Sequence, residues 1–348
     1  MTITTVAEKS LPLRSRLWLG PILLGVVTLV GASITGIVLG PIELTTAEVL
    51  KALIDRLPFI DVVSGLSDRE SAILFQLRLP RVVLGGCVGA VLALAGAAYQ
   101  GVFRNPLADP YLLGVAAGAG LGATIAIASG SPGAALPIAA FAGGVLAVAA
   151  TYLLGRAGDR AVTSLVLAGV AVASFFTAAQ TYVQQRHTQE LRAVYSWILG
   201  RLATNGWAEV KLVLPYIAVA ALVILAHRRL LDTLSVGEVE AQSLGVPVRR
   251  VRLLVVAAAT LASAAVVAVS GLIGFVGIIV PHTVRLLTGE SFRSLLPLSL
   301  LFGASFLIVT DLAARTISAP AELPVGVVTA FLGAPFFLFV LRRARRSQ

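Results

Sequence analysis

Residues able to do chemistry are few in this chain of 348 residues, and they are scattered. The three histidines, His187, His227 and His282, fall in separate segments, and Cys87 is the only cysteine in the sequence. This pattern excludes disulfides, zinc fingers and haem-attachment motifs, and it offers no clustered histidines and carboxylates for catalysis. We therefore expect no metal site, no cofactor and no enzymatic activity in this chain alone.

The lysines exclude one further chemistry. Lysine occurs only at positions 9, 51 and 211, and none of these follows a glycine. The sequence therefore contains no G-x-x-x-x-G-K-[ST] loop that could cradle phosphates. We expect that the chain does not hydrolyse ATP by itself, and that any ATP and Mg²⁺ would be bound by a partner ATPase.

Two polar clusters bound an apolar, glycine-spaced segment of the chain. Arg78 and Arg81 flank a leucine-proline pair at its start, and the run Arg104–Pro106 interrupts the hydrophobicity at its end. A guanidinium group pairs with a carboxylate through a fixed fork, so these arginines suit contact with an acidic partner. The alternative is that they reach to the membrane interface. The pattern is typical of a membrane helix with functional ends.

The elements that must position these residues are membrane helices. The chain is 57% hydrophobic and 13% charged, which is more apolar surface than a soluble core can use. Several apolar runs match the roughly 20 residues that cross a hydrocarbon core. We predict an all-α integral membrane protein, a polytopic bundle of about ten transmembrane helices, with spans at 17–40, 80–102, 111–129, 133–154, 163–184, 208–227, 252–269, 271–288, 295–313 and 324–341.

Charge predicts the orientation. The net charge of +10 comes from basic residues in both terminal tails, around Arg156 and Arg160, and in the segment 228–252. The positive-inside rule places these segments in the cytoplasm, so the charge needs no nucleic-acid partner. We expect a cytoplasmic tail over 1–16, a single transmembrane domain over 17–341 and a basic cytoplasmic tail over 342–348.

Glycines indicate close helix packing. Gly85 and Gly89 are four residues apart, as are Gly114, Gly118 and Gly122. Each set therefore lies along one helical face, where another backbone can approach closely. Simple packing explains the pattern, and helices that slide during transport would need the same smooth contacts.

A channel or an ion-coupled transporter is an alternative of a different class. Such proteins place a selectivity ring or charged groups at mid-membrane. The central portions of the predicted spans are almost free of acidic residues, with Asp311, near a helix end, as the main exception. This pattern favours an external motor.

The segment 228–252 is suited to contact that motor. It is polar, basic at both ends and broken by Gly237, Gly245 and Pro247. Helical spacing within it predicts two short helices with an apolar stripe that could dock into a partner. An ordinary solvated loop is the alternative. The stripe consists of Leu231, Leu234, Val236, Val239 and Leu244.

Five motifs in order resemble the FecCD family, the membrane permeases of type II ATP-binding-cassette importers for ferric siderophores, haem and vitamin B12. The resemblance covers essentially the whole chain after the N-terminal tail. It implies a type II importer permease fold in the bacterial cytoplasmic membrane, with both termini cytoplasmic. The motifs are Arg78-Leu-Pro-Arg81, the break from Gln100 through Arg104-Asn-Pro-Leu-Ala-Asp-Pro110 to Gly114, the loop from Gly237 to Pro247, the block from Gly271 to His282, and the block from Pro320 to Phe336.

The resemblance also implies partners. A second permease subunit completes the pathway, and an identical copy is the default because two-fold association is the commonest closed symmetry. Two cytoplasmic ATPase subunits and an extracytoplasmic substrate-binding protein complete the complex in the lipid bilayer. No nucleic acid is implied.

Residue roles follow from the same resemblance. It assigns binding-protein docking to Arg78, Arg81 and Arg315, and a cytoplasmic gate to Asn105, Leu107, Thr163 and Ser164. Helix N-capping is the alternative for Thr163 and Ser164. It assigns contact with the ATPase to Leu234, Gly237, Glu238, Ala241, Leu244, Gly245 and Pro247.

The cargo is left open by the sequence. We expect a ferric siderophore first, haem second and vitamin B12 third, and no residue fixes that order. His187 could contact a haem or chelate, although an exposed loop histidine is the plainer interpretation. His282 is expected to be a packing residue.

Overall fold

The computed structural model describes residues 19–40, 44–56, 62, 64–131, 133–155, 161–204 and 206–346. The predicted N-terminal tail, the basic residues Arg156 and Arg160, and the last two residues lie outside this range. The described part of the chain is helical, with no strand. This confirms the predicted all-α membrane fold.

The helices are separated by short turns. A π-helical turn, Ile73–Arg78, joins α3 to α4, and 3₁₀ turns lie at Pro110–Leu113 and Thr188–Glu190. The α-helices are α1 Leu19–Val38, α2 Thr46–Asp55, α3 Asp68–Ala72, α4 Leu79–Phe103, α5 Val115–Ala128, α6 Ala135–Gly155, α7 Ala161–Arg186, α8 Leu191–Ile198, α9 Ala208–Ala226, α10 Arg228–Val236, α11 Glu238–Ser243, α12 Val248–Ser270, α13 Val276–Thr288, α14 Phe292–Thr316 and α15 Val325–Arg346.

Seven helical segments in the described ranges are long and apolar enough to cross a membrane. They correspond to seven of the ten predicted spans and include α1, α6, α7, α9, α12 and α14, with α3 to α4 as one continuous segment. The other three predicted spans correspond to shorter apolar helices, α5, α13 and the Val325–Leu338 part of α15. The helices α5 and α13 are shorter than the predicted spans, whereas α15 as a whole, Val325–Arg346, is as long as predicted.

Glycine and proline explain two of the short helices. Gly114 has a φ of +86° and Pro110 starts a 3₁₀ turn, so α5 begins at Val115 and not at the predicted residue 111. Gly271 has a φ of +67°, and residues 271–275 are not helical. Such positive φ values favour glycine and end a helix. The predicted span 271–288 therefore contains a non-helical entry before α13.

The centre of the bundle is formed by α4, α12 and α14. In their most apolar windows 78%, 72% and 61% of residues are buried, against 22% for α1 and 17% for α7. α4 packs against both α12 and α14, and α5 packs chiefly against α6. The exposed faces of α1 and α7 must therefore meet lipid, water or another protein.

Glycines at the crossings let backbones touch. A Cβ atom on Gly89 would overlap the carbonyl of Gly303 in α14, and one on Gly118 would overlap that of Gly143 in α6. Gly122 meets Ala139 in the same way, whereas Gly85 faces the side chain of Leu202. The predicted small-residue packing is confirmed at these crossings.

The two ends of the bundle have different chemistry. We call the end that holds Arg78, Arg81 and Arg315 the arginine end. We call the opposite end, with α10, α11 and the loop 104–109, the α10 end. Helices α4 and α14 run between them in opposite directions, because Arg81 near the start of α4 contacts Asp311 near the end of α14.

Candidate functional site

At the arginine end, an ion-pair cluster joins three segments. The Arg81 guanidinium lies 2.9 Å from a carboxylate oxygen of Asp311 and 2.9 Å from one of Glu322. Arg315 is 3.1 Å from the other Asp311 oxygen. Asp311 is buried, and Glu322 is half exposed. The cluster therefore fixes α4, α14 and the segment before α15 to one another.

Two arginines of this end hold the last turn of α1. Arg78 donates to the carbonyls of Ile37 and Val38, at 2.9 and 2.8 Å, and Arg315 donates to that of Gly36 at 2.9 Å. The last carbonyls of a helix have no partner within the helix, and they carry its partial negative charge. The guanidinium groups donate hydrogen bonds to these carbonyls and place positive charge next to them.

The burial of Arg78 and Arg315 differs from the expectation for docking. Each is only 6% exposed, so their guanidinium groups do not project toward a binding protein in this structure. Their other predicted role, reaching to the membrane interface, does not describe them either. Arg81 is partly exposed, and its guanidinium group forms an ion pair with the half-exposed carboxylate of Glu322. Docking at this end stays a prediction, and the accessible charged groups there include Glu322, the partly exposed Arg81, and Asp68 and Arg69 on α3.

At the α10 end, α4 closes into a tightly bonded loop. Arg104 ends α4 in the left-handed conformation, and the Asn105 amide N–H donates to the Gln100 carbonyl at 3.1 Å. The Asn105 side chain accepts from the Leu107 amide N–H at 2.9 Å. Both Asn105 and Leu107 are exposed. The geometry gives the predicted gate loop a defined shape on an accessible surface.

Gln100 fastens this loop to α13. Its side-chain amide donates to the carbonyls of Ala108, at 3.3 Å, and Gly277, at 2.9 Å, and its oxygen accepts from Arg285. Gln100 is buried. The last turn of α4, the loop and α13 therefore share one polar centre.

Asp109 is an acidic residue in an unusual setting. Its carboxylate accepts from the Tyr111 amide N–H at 2.8 Å and caps the 3₁₀ turn. Burial raises the pKa of this carboxyl from 3.8 to about 6, and the hydrogen bond from Tyr111 opposes that rise. The loop therefore carries a carboxyl group whose pKa lies well above the ordinary value for aspartate.

The second predicted gate segment lies at the start of α7. Thr163 and Ser164 are within the first turn of the helix, which begins at Ala161, so they do not stand in the N-cap position. Thr163 is exposed and Ser164 is half-buried. Further along, Gly169 is pressed against the Leu112 carbonyl, which links α7 to the turn that follows the gate loop.

The exposed face of α7 carries both polar and apolar side chains. Ser174, Thr177, Thr181 and Gln185 are all exposed, at spacings that place them on one side of the helix. Leu167 and Val170 are 65% and 58% exposed on the same side, one to two turns before Ser174. The exposed face of α9 is apolar and includes Leu222. Serine and threonine are enriched where membrane helices pack against one another, so the part of α7 from Ser174 onward suits contact with another protein.

The segment 228–252 folds into the two expected short helices, α10 and α11, before α12 begins at Val248. Gly245 has a φ of +79°, and Pro247 directly precedes α12. Glu238, in the first turn of α11, forms an ion pair with Arg252 of α12. The predicted breaks at Gly245 and Pro247 are therefore present.

The apolar stripe of this segment divides into two faces. Leu231, Leu234 and Ala241 are buried against the bundle. Val236, Val239 and Leu244 are 68%, 75% and 72% exposed. Leu234 and Ala241 therefore anchor the two helices to the bundle, and the assignment of the segment to ATPase contact stays a prediction. We call Val236, Val239 and Leu244 the α10–α11 surface.

Three polar residues at these sites were missed from the sequence. Glu322 pairs with Arg81 across 241 residues, Asp232 binds the start of α14, and Arg285 reaches Gln100. Asp232 lies within a segment already singled out, but it is 60 residues from Phe292. All three pairings are tertiary contacts that sequence spacing does not reveal.

The two histidines left open by the sequence have simple surroundings. His187 is exposed, and its ring nitrogen lies 3.1 Å from the Val183 carbonyl. His282 packs edge-on against Phe336, with ring centroids 5.7 Å apart. Within the described ranges, no group of three or more His, Cys, Asp or Glu side chains could hold a metal ion.

Comparison with known proteins places these features in context. The model of the FecCD transport family matches residues 27–343. The cobalamin import system permease protein BtuC of Halobacterium salinarum is 42% identical over 280 residues, covering 80% of this chain and 75% of that protein. The Fe(3+)-citrate import system permease protein YfmE of Bacillus subtilis is 38% identical over 286 residues, covering 82% and 86%.

A solved structure shows the same fold. It is described as an inward-facing conformation of a metal-chelate type ABC transporter, and it matches with a TM-score of 0.83 at 31% identity. The match covers 94% of this chain and 100% of the other.

Proposed function

The chain belongs to the FecCD transport family, and we propose that it is the membrane permease subunit of an ATP-driven importer that moves an iron chelate into the cytoplasm. The observation that carries this proposal is the α10–α11 surface. Its three apolar side chains are exposed on helices whose opposite face is buried in the bundle. A rigidly anchored apolar surface next to a membrane is typical of a binding site for a partner protein.

The lack of a phosphate-binding motif in the sequence indicates that the partner is an ATPase. The sequence has no phosphate-binding loop, so the energy for transport must come from another subunit. We infer that two cytoplasmic ATPases bind the α10–α11 surfaces of two permease chains. This puts the α10 end in the cytoplasm. α1 ends and α15 begins at the arginine end, so both chain termini would also be cytoplasmic.

The other partners follow from the remaining exposed faces. The part of α7 that carries Ser174, Thr177 and Thr181 would meet a second copy of the chain around a water-filled pathway. The arginine end would receive the substrate-binding protein on the outer side. Arg81, Glu322 and the exposed Asp68 and Arg69 are charged groups there that a docking protein could reach.

The preferred cargo is a ferric siderophore. Its support is the iron-chelate relative together with the metal-chelate transporter that shares the fold. Haem is the second choice and vitamin B12 the third. The cobalamin import relative supports keeping vitamin B12 among the alternatives. An ion-coupled transporter is less well supported, because Asp311 is neutralised by Arg81 and Arg315.

Copurification with a cassette ATPase tests the role of the subunit. We expect the purified chain to show no ATP hydrolysis alone and to bind the ATPase when both are produced together. Val239→Glu combined with Leu244→Glu should reduce this binding about tenfold or more, because charges would replace apolar contacts. Gln242→Glu, an exposed position on the same helix, is the matched control. Wild-type recruitment by the double variant would remove the α10–α11 surface from the proposal.

Growth of a deletion strain tests the cargo. The strain should fail on one ferric siderophore as sole iron source and recover on ferrous iron. Failure on haem or cobalamin with every siderophore retained would replace the siderophore by that cargo, and the importer assignment would stand.

A further inference from the structure

The start of α14 is held by α10. The Asp232 carboxylate, on α10, accepts from the backbone N–H of Phe292 at 2.6 Å and from the Ser291 hydroxyl at 3.2 Å. Arg293 lies 3.8 Å from the same carboxylate. A carboxylate is favoured there by the unpaired amides and the partial positive charge of the helix start. Displacement of α10 must therefore pull on the first turn of α14.

The ring of Phe292 carries the contact onward to α4. Phe292 is only 5% exposed, and a Cβ atom placed on Gly101 would lie 2.7 Å from its ring. The ring thus rests directly on the backbone of the last turn of α4. Leu231 and Leu234, on the same helix as Asp232, belong to the same buried cluster as Phe292.

The last turn of α4 controls the shape of the gate loop. Gly101 follows Gln100, whose carbonyl accepts the Asn105 amide and whose side chain binds the Ala108 carbonyl. A shift of this turn therefore moves both ends of the loop that presents Asn105 and Leu107. The contacts form an unbroken path from α10 to the loop.

We propose that Asp232 and Phe292 form a relay that transmits movement of the ATPase-bound helix α10 to the loop Asn105–Leu107. This inference rests on the proposed function. Asp232 acts as a positioning residue, since it touches neither ATP nor cargo. Gly101 is required because a side chain there would displace the ring that carries the contact. Close-packed contacts of this kind pass on small displacements because the interior has little free volume.

The relay is tested with the complete transporter in proteoliposomes, using the binding protein and the cargo identified by growth. Asp232→Ala should leave ATPase binding intact and reduce uptake per ATP hydrolysed by about tenfold, the effect expected from losing a hydrogen bond to a charged group. Asp232→Asn should be affected less, since its remaining oxygen can still accept the Phe292 amide. Glu290→Gln, an exposed carboxylate-to-amide change nearby, is the matched control.

A second pair of variants tests the steric step. Gly101→Ala should also lower uptake per ATP, and Gly101→Ala combined with Phe292→Leu should recover it, because the shorter side chain leaves room for the new methyl group. Leu107→Cys, in a chain with Cys87→Ala, reports on the loop directly. Its labelling rate should change on ATP binding in the wild type and stay constant in Asp232→Ala.

The outcomes separate the two proposals. If the wild-type complex shows no ATP-dependent uptake, the proposed function fails. If the wild type transports, and both Asp232→Ala and Gly101→Ala keep its uptake per ATP and its labelling response, the relay is wrong. A loss in Gly101→Ala that Phe292→Leu does not relieve would also overturn the proposed contact.

Discussion

At the scale of the residue, Arg315 links two helices through one guanidinium group. It pairs with buried Asp311 and donates to the Gly36 carbonyl of α1. Removing one partner of a buried ion pair leaves an uncompensated charge, which is costly in a dry environment. Arg315 is therefore a structural residue in this conformation, whatever it contributes to docking.

We predict that Arg315→Ala lowers the free energy of unfolding by about 3 kcal/mol. Arg315→Lys should lower the free energy of unfolding less, because lysine keeps the positive charge and loses only the planar hydrogen-bonding geometry of the guanidinium group. Thermal unfolding in detergent measures both effects, and exposed Arg192→Ala on α8 serves as the control. Equal melting temperatures for Arg315→Ala and Arg192→Ala would contradict the anchoring role.

The raised pKa of Asp109 predicts how the stability of the folded protein depends on pH. The pKa of its carboxyl is raised to about 6 in the folded protein from an ordinary value of 3.8. Between these values the folded state binds more protons than the unfolded state, so stability falls as pH rises through this window. Asp109→Asn keeps an oxygen for the Tyr111 amide and removes the titration. The stability of this variant relative to the wild type should increase from about pH 4 to about pH 6.5, because the wild-type carboxyl loses its proton over that range.

Thermal unfolding across that pH range checks this expectation. Asp68→Asn, at an exposed position, is the control. A constant difference in melting temperature between Asp109→Asn and the wild type would argue against the raised pKa.

The residue types at these sites could be predicted from the sequence, and their partners only in part. Arg78, Arg81 and Arg315 were identified by pattern and resemblance, but the pattern did not show that two of them are buried against α1. Asp311 and Glu322 lie 230 and 241 residues from Arg81. Such pairings depend on how helices cross, and local sequence carries little information about that.

At the scale of the element, glycine crossings fix pairs of helices. A methyl group on Gly118 would overlap the Gly143 carbonyl, so α5 and α6 would have to separate. We predict that Gly118→Ala destabilises the protein by about 2 kcal/mol, within the range for overpacking a close contact. Thermal unfolding provides the measurement.

Gly31→Ala on α1 is the matched control, because nothing lies within 4 Å of its added methyl group. It should be neutral or slightly stabilising, since alanine favours a helix. If both variants unfold at the same temperature, the crossing is less tightly packed than the structure indicates.

Helix type was predicted well from hydrophobicity, and helix length was predicted less well. Apolar composition extends through residues 111–114 and 271–275, so the sequence suggested full spans there. Backbone conformation at Gly114, Gly271 and Phe275, each with positive φ, ends the helices instead. The division of the 228–252 stripe was also missed, because a helical period does not say which side faces the bundle.

At the scale of the whole molecule, α7 distinguishes a pathway from a lipid-facing surface. In a chain with Cys87→Ala, the variants Ser174→Cys and Thr181→Cys should react in the assembled transporter with a small water-soluble thiol reagent. The variant Leu222→Cys, on the apolar exposed face of α9, should react about tenfold more slowly, because thiolate forms poorly away from water. Mass spectrometry of the labelled protein measures the rates, and equal protection at all three positions would remove α7 from the pathway.

The anchoring of α1 has a consequence for biosynthesis. Its last carbonyls bind Arg78, which follows Ile37 by 41 residues, and Arg315, which follows Gly36 by 279. Chains are inserted and folded from the N-terminus as they emerge from the ribosome. Helix α1 must therefore wait until α14 has been synthesised before its end is fully bonded. Nascent chains that stop before α14 should leave α1 loosely attached and open to quality-control proteases.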